Sequence, residues 1–301
     1  MLKRITLAVI LVTAVSVCAF AGEGSDTIGA CRLMPELRYS FNETPMDTEY
    51  GYYFDPDLLY NHYTFREHTA TLGATWGATD NLALYAFVGA VIDSSLEGTA
   101  DVYINPTAGY MDMRSKIDPD NGLTCGLGIR GTFWRSSGGL YCGGGASVAY
   151  SSTEFDGIFG HGEKTVPGYS VSYTYIIRDK FRLRNLAATA DLHAGWTFKD
   201  IGLTPYLGVE YRWSKVYVKE IGQGRFVKFN ARERKPVGVY VGLDYRIKDR
   251  VNVNLEGHMI NRWGASASIG LLFDLCGKPA PEPEPAPAPV IEPKLEPMSS
   301  K

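Results

Sequence analysis

Hydrophobic and polar residues alternate along much of this chain with a period of two, the pattern of extended strands whose successive side chains face opposite sides. Over 236–247, Val237, Val239, Val241, Leu243, Tyr245 and Ile247 share one face, and Gly238, Tyr240, Gly242, Asp244 and Arg246 share the other. The same reading predicts strands at 31–41, 68–78, 82–93, 122–135, 140–151, 186–199, 203–219, 251–260 and 263–275, about ten in all. Each is about the length that a tilted strand needs to cross a bilayer.

The connections are unequal. Tight polar turns at 79–81, 136–139, 200–202 and 248–250 alternate with long polar segments at 42–67, 94–121, 152–185 and 220–235, read as loops. Only the last connection on the long side, near Asn261 and Arg262, is brief. Within the third long segment, 169–177 reads either as an extra strand or as an extension of one beyond the membrane. Short turns on one side and long loops on the other are the asymmetry of transmembrane barrels. The expected fold class is all-β: a transmembrane antiparallel up-and-down β-barrel of about ten strands, within a range of 8 to 12.

A soluble sandwich would also alternate, but it would turn its charged face to bulk water. In a barrel that face lines the lumen and the apolar face meets lipid. Aromatic placement favours the barrel. Trp76, Phe133, Trp196, Phe198, Tyr245 and Phe273 lie near the short-turn ends, and Tyr39, Phe41, Tyr150, Trp213 and Trp263 near the long-loop ends. Two such girdles suit the two membrane interfaces.

Residues 1–21 carry Lys3 and Arg4, an apolar run, and Ala19-Phe20-Ala21, the anatomy of a cleaved secretory signal. Val17 before Cys18 is too bulky for a usual lipoprotein site. The barrel is expected over 22–277. Residues 278–301, rich in Pro, Glu and Ala, are expected to form an extended disordered tail, with both termini in the periplasm. Composition agrees with a β protein: 33 Gly, 19 Tyr and 12% aromatic residues. A net charge of -3 argues against a bulk nucleic-acid role.

Beyond the signal, Cys31, Cys125, Cys142 and Cys276 remain, too few for a disulfide framework. Cys125 and Cys142 fall on apolar faces, well apart in any sensible hairpin register. Cys31 and Cys276 begin and end the barrel, so a bridge would staple its seam. Against this, alternation puts Cys31 on the lipid face and Cys276 on the lumen face. No cofactor or metal motif is present, and none is expected to bind. The run Gly143-Gly144-Gly145 lies inside a strand and marks close wall packing.

Ser268, Gly270, Phe273 and Leu275, with Leu272 as the one misfit to alternation, resemble the closing-strand signal read by the outer-membrane barrel-assembly machinery. A barrel followed by a Pro/Ala-rich segment resembles the OmpA-like family of the bacterial outer membrane. That family's peptidoglycan-binding domain is missing here, so wall anchoring is not carried over. Strand number and length also resemble the omptins, outer-membrane proteases that activate water with an Asp-His pair and a pair of aspartates at the barrel rim. The positions that resemblance selects are Asp191 and His193, with Asp55 and Asp57. Asp191 and His193 sit near mid-strand rather than at the rim, so the expectation is no catalytic residue.

Projecting the inward positions gives a lumen lined by Arg32, Glu36, Arg38, Arg130, Asp191, His193, Glu210, Arg212, Asp244, Arg246, Glu256 and His258. Opposite charges in so narrow a space are driven to pair. A largely plugged barrel of small, intermittent conductance is expected, with Arg38, Glu210, Arg212 and Asp244 in the pairing network. Lys180, Arg182, Arg184, Arg225, Lys228, Arg232, Arg234 and Lys235 place cations at the outer rim, facing lipopolysaccharide phosphates. The function expected is a structural or small-porin role in the outer membrane. The alternatives are an omptin-like protease and an adhesin acting through its loops.

Overall fold

In a computed structural model of the chain, residues 27–52, 62–105, 109–166, 169–221 and 228–276 are described. The signal segment and the Pro-rich tail lie outside them. The elements are strands: β1 Arg32–Tyr52, β2 His62–Thr79, β3 Leu82–Asn105, β4 Gly109–Ile117, β5 Gly122–Arg135, β6 Leu140–Val166, β7 Tyr169–Trp196, β8 Leu203–Glu220, β9 Lys228–Glu233, β10 Val237–Ile247, β11 Val251–Met259, β12 Trp263–Leu271 and β13 Phe273–Asp274. All pairings are antiparallel. One closed ring of ten strands runs β1-β2-β3-β5-β6-β7-β8-β10-β11-β12 and back to β1. The expected all-β barrel is therefore what forms.

Beyond the short β11–β12 connection the ring changes. There β4 takes the place of β5 between β3 and β6, and β9 pairs with both β8 and β1, through Met46↔Glu233 and Asp47↔Arg232. With β11 and β12 ended, eight strands close on themselves. The segments read as long loops are thus mostly strand. β6 and β7, at 27 and 28 residues, run far past the roughly 9–11 that a bilayer crossing requires. The 169–177 segment is an extension of β7.

Polarity inverts where ten strands become eight. In β8, Leu207, Val209, Tyr211 and Trp213 face outward and Glu210, Arg212 and Ser214 face inward, buried. Two residues further on, Val216 and Val218 are the buried ones, while Lys215, Tyr217 and Lys219 look out. The alternation keeps its parity, but the apolar set changes sides. Lipid outside calls for apolar residues outside, whereas water outside calls for an apolar filling.

That filling comes from every strand of the extension: Met46, Tyr63, Phe65, Leu96, Ile117, Phe155, Phe181, Leu183, Val216, Val218 and Ala231 form one buried cluster. Phe155 and Phe181 stack at its centre with ring centroids 5.1 Å apart and planes at 13°.

The opposite mouth is closed more simply. Leu272, the misfit of the last strand, turns inward onto Ile28 and Met34. Cys31 and Cys276 are bridged, with Cα atoms 5.5 Å apart. The alternation argument against this bridge fails because neither cysteine sits in regular strand. Cys31 has φ 56° in the turn before β1, and Leu275 and Cys276 bend away after β13. Cys125 and Cys142 are exposed free thiols on the outer wall, opposite Tyr150 and Trp134 respectively.

Candidate functional site

The inward face of the ten-strand section carries the chain's concentrated chemistry, with Glu210 on β8 as its hub. Arg262, from the β11–β12 connection, reaches into the lumen and grips the Glu210 carboxylate with two nitrogens, Nε to Oε1 at 3.1 Å and Nη2 to Oε2 at 3.0 Å. This two-point geometry fits a planar guanidinium to a carboxylate. Asn261 Nδ2 donates to Glu210 Oε1 at 2.9 Å, and Arg262 Nη1 donates to Asn42 Oδ1 at 2.9 Å. One turn is thereby anchored to strands on both sides of it.

His258 extends the cluster. Arg262 Nη2 donates to His258 Nδ1 at 2.9 Å, and Glu256 Oε1 lies 3.0 Å from His258 Nε2. Because a guanidinium only donates, Nδ1 accepts and Nε2 carries the hydrogen that Glu256 takes. Tyr206 donates to Glu256 Oε2 at 2.8 Å and accepts from Asn254 at 2.7 Å. Tyr206 and Tyr240 lie over glycines of the neighbouring strand, Gly242 and Gly208. A Cβ there would come within 2.1 Å and 2.4 Å of the two rings, so only glycine lets them lie flat across the wall.

The remaining charges form smaller sets. Tyr240 donates to Asp191 Oδ1 at 2.7 Å, and His193 Nδ1 lies 2.8 Å from the same oxygen. Arg38 Nε stands 3.5 Å from Glu36 Oε1, Asp244 accepts from Asn252 at 2.7 Å, and Arg130 lies 5.8 Å from the Tyr85 ring centroid. Arg212 donates to Thr44 at 3.0 Å and stands 3.7 Å from Glu233. Between this layer and the apolar filling is a polar cavity of about 120 Å³, lined among others by Arg38, Asn42, Glu67, Asn185 and Arg212. Ser151 donates to Glu67 there at 2.5 Å.

Outside this polar interior the wall is apolar. Leu37, Val88, Leu127, Val148, Leu192, Leu207, Val241 and Ile269 are all exposed, between rings of Trp76, Phe133, Trp196 and Phe273 on one side and Tyr150, Trp213 and Trp263 on the other. A closed sheet, polar within and apolar without, has no unpaired edge to hide and suits only lipid as its surroundings. The fold is that of a bacterial outer-membrane β-barrel. No protein-family model matches the chain, and no curated protein matches it. Among solved structures this outer-membrane barrel is similar to the outer membrane protease OmpT from Escherichia coli, at 10% identity over 80% of this chain and 96% of that one, TM-score 0.47. It is also similar to OprG from Pseudomonas aeruginosa, at 10% identity over 81% and 97%, TM-score 0.34. The toluene transporter TbuX from Ralstonia pickettii matches at 10% identity over 84% and 90%, TM-score 0.34. The likeness is one of fold.

Most of the residues projected into the lumen do lie there. Arg32 is the exception. It pairs with Asp274 at 2.9 Å at the half-exposed mouth, beside the strand end that Cys31 bends away from. Arg246 faces inward without joining the Glu210 cluster, and its buried Nε has no hydrogen-bond partner. Glu210 pairs with Arg262 and His258 rather than with Arg212. Ser268 and Gly270 face the lumen, and Phe273 and Leu275 face out. The sequence reading missed Arg262 and Asn261, placed in a connection, and Glu67 and Glu233, placed in loops. Of the omptin-like positions, Asp191 and His193 are buried inside the wall, and Asp55 and Asp57 lie outside the described residues. Of the outer cations, Arg182 is paired with Glu154, and Arg225 lies outside the described residues.

Glu233 gives the extension a pH dependence. Burial lifts its carboxyl from an ordinary 4.5 to about 7, against the pull of Arg212. The folded extension therefore holds this proton more tightly than the unfolded chain does, so stability is full below pH 4.5 and is lost as pH rises through about 7. Glu233→Gln should flatten that loss, which amounts to about 3 kcal/mol at most. Thermal unfolding of the extension in detergent at pH 5 and pH 8 checks it: the variant should gain at pH 8 and not at pH 5.

Proposed function

We propose that the protein is a non-conducting, non-catalytic outer-membrane barrel whose task is structural: to hold a rigid eight-stranded extension above the outer leaflet, with the extension and both aromatic girdles oriented as in other such barrels and the termini in the periplasm. The observation that carries this reading is the apolar filling. Water and ions that enter the polar section meet eleven buried apolar side chains drawn from all eight strands of the extension. Glu210, Arg262 and His258 occupy the lumen beneath, and Leu272, Met34 and Ile28 occupy the far mouth. A small-porin role needs a wet path, and this arrangement offers ion pairs and apolar contacts instead.

An omptin-like activity requires an Asp-His pair that water and substrate reach together. Here Asp191 is already engaged by Tyr240, and a Cβ at Gly143 would lie 2.7 Å from His193 Nε2, so that nitrogen abuts the wall. The full chain reconstituted in planar bilayers should show no steady conductance steps. Large, steady steps would overturn the proposal in favour of a pore.

A further inference from the structure

We propose that the ledge where ten strands become eight is a binding site for lipid A, the phosphorylated, multiply acylated glucosamine lipid of the outer leaflet. The inference takes its leaflet from the orientation proposed above. Below the ledge, the wall of β10, β11, β12 and β1 carries two matched rows: Val241, Gly257, Ala265 and Phe41, then Leu243, Leu255, Ala267 and Tyr39. Gly257, Ala265 and Ala267 form a low floor between the Val241/Leu243 ridge and the Tyr39/Phe41 ridge. The furrow encloses about 530 Å³, within the span of ligand-sized sites, and its polar lining is minor.

The wall itself does not require this floor. A Cβ at Gly257 would meet no atom nearer than 3.9 Å, unlike Gly208 or Gly242, whose place is filled by a tyrosine. The small residues leave room on the lipid side.

Above the ledge the surface is cationic. Arg234 bonds through its backbone to Pro45, on the strand that forms the furrow's aromatic ridge, and Arg232 is in register with Asp47 two residues further out. Arg232, Arg234 and Lys235 are all exposed, and Lys215 is in register with Arg232 on the neighbouring β8. The nearby carboxylates are Glu43, which binds Arg66 at 2.8 Å, and Asp47, which binds His62 at 2.9 Å and stands 3.9 Å from Arg234. The balance is positive, immediately outside an acyl-sized furrow.

This pairing decides the occupant. A second copy of the chain, brought up about a two-fold axis, would set these cations against their own kind. An ordinary glycerophospholipid offers one phosphate, whereas the cations span two rows of the extension and match a headgroup with a phosphate at each end. Acyl chains then lie in the furrow and phosphates against Arg232, Arg234 and Lys235.

Native mass spectrometry of the full chain in detergent, titrated with purified bisphosphorylated lipid A, tests this. Arg232→Ala, Arg234→Ala and Lys235→Ala combined should weaken binding about a hundredfold. Gly257→Leu with Ala265→Leu should weaken it about tenfold while leaving the unfolding temperature in place, since both positions face outward. Phosphatidylglycerol should bind far more weakly than lipid A and respond little to the furrow pair. Equal affinity of wild type and the triple variant would overturn the proposal, as would phosphatidylglycerol binding as tightly as lipid A. Because the measurement is made in detergent, it stands apart from orientation, which surface labelling of Lys219 in intact cells reports separately.

Discussion

Glu210→Ala should cost about 3–5 kcal/mol and lower the temperature at which the detergent-solubilised barrel loses its compact gel mobility. The size follows from what is left behind. Glu210 takes two bonds from Arg262 and one from Asn261, and stands 3.3 Å from His258, all within a buried layer. Removing it strands a guanidinium in the wall with only Asn42 and His258 still facing it. The β11–β12 hairpin is short and its turn is held by those contacts, so the loss should concentrate there, beside the point where β9 leaves β10. Conductance should rise little, because the apolar filling above remains. Glu210→Gln keeps the shape and one acceptor and should lose less.

Phe155→Ala together with Phe181→Ala should open the extension without dissolving the membrane section. Each ring is almost wholly buried, and truncating a buried Phe costs about 3–5 kcal/mol. Because the two rings stack on one another, the double change should cost less than the sum. The ten-strand section has its own polar network and its own seam bridge, so its gel mobility should persist. Limited proteolysis should then cut β6 and β7 within the extension. If the double variant resists protease as the wild type does, the filling is not what holds the extension together.

The membrane section was legible because lipid imposes a simple rule on alternating residues. Val237 to Ile247 shows it without interruption, and the parity of Glu36, Asp191, Glu210 and Glu256 placed them in the lumen. The extension was not legible because it obeys the opposite rule. Lys215, Tyr217 and Lys219 looked like the polar start of a loop, whereas they are the watered face of a strand whose inward partners are Val216 and Val218. The same inversion is written in β7, where Leu192 faces lipid and Phe181 and Leu183 face inward. A change of apolar side without a change of parity is the signal that would have found it. Arg262 was invisible for a different reason. Turn residues carry no parity, and its inward course is fixed by Glu210, more than fifty residues away in sequence. The Cys31–Cys276 bridge was argued against because strand parity was carried past the last regular residue. A positive φ at Cys31 and the bend at Leu275 remove that parity.

The inversion in β8 is the centre of the account, and single cysteines test it most directly. In a chain with Cys125 and Cys142 replaced by Ser and the seam bridge kept, cysteine is placed in turn at Val209, Lys215, Val216, Tyr217 and Val218, and the reconstituted protein is treated with a water-soluble maleimide. Lys215→Cys and Tyr217→Cys should label readily, Val216→Cys and Val218→Cys only after denaturation, and Val209→Cys only with a lipid-soluble reagent. Labelling of Val216→Cys and Val218→Cys as fast as their neighbours would contradict the account, making this stretch an open loop over an unsealed lumen.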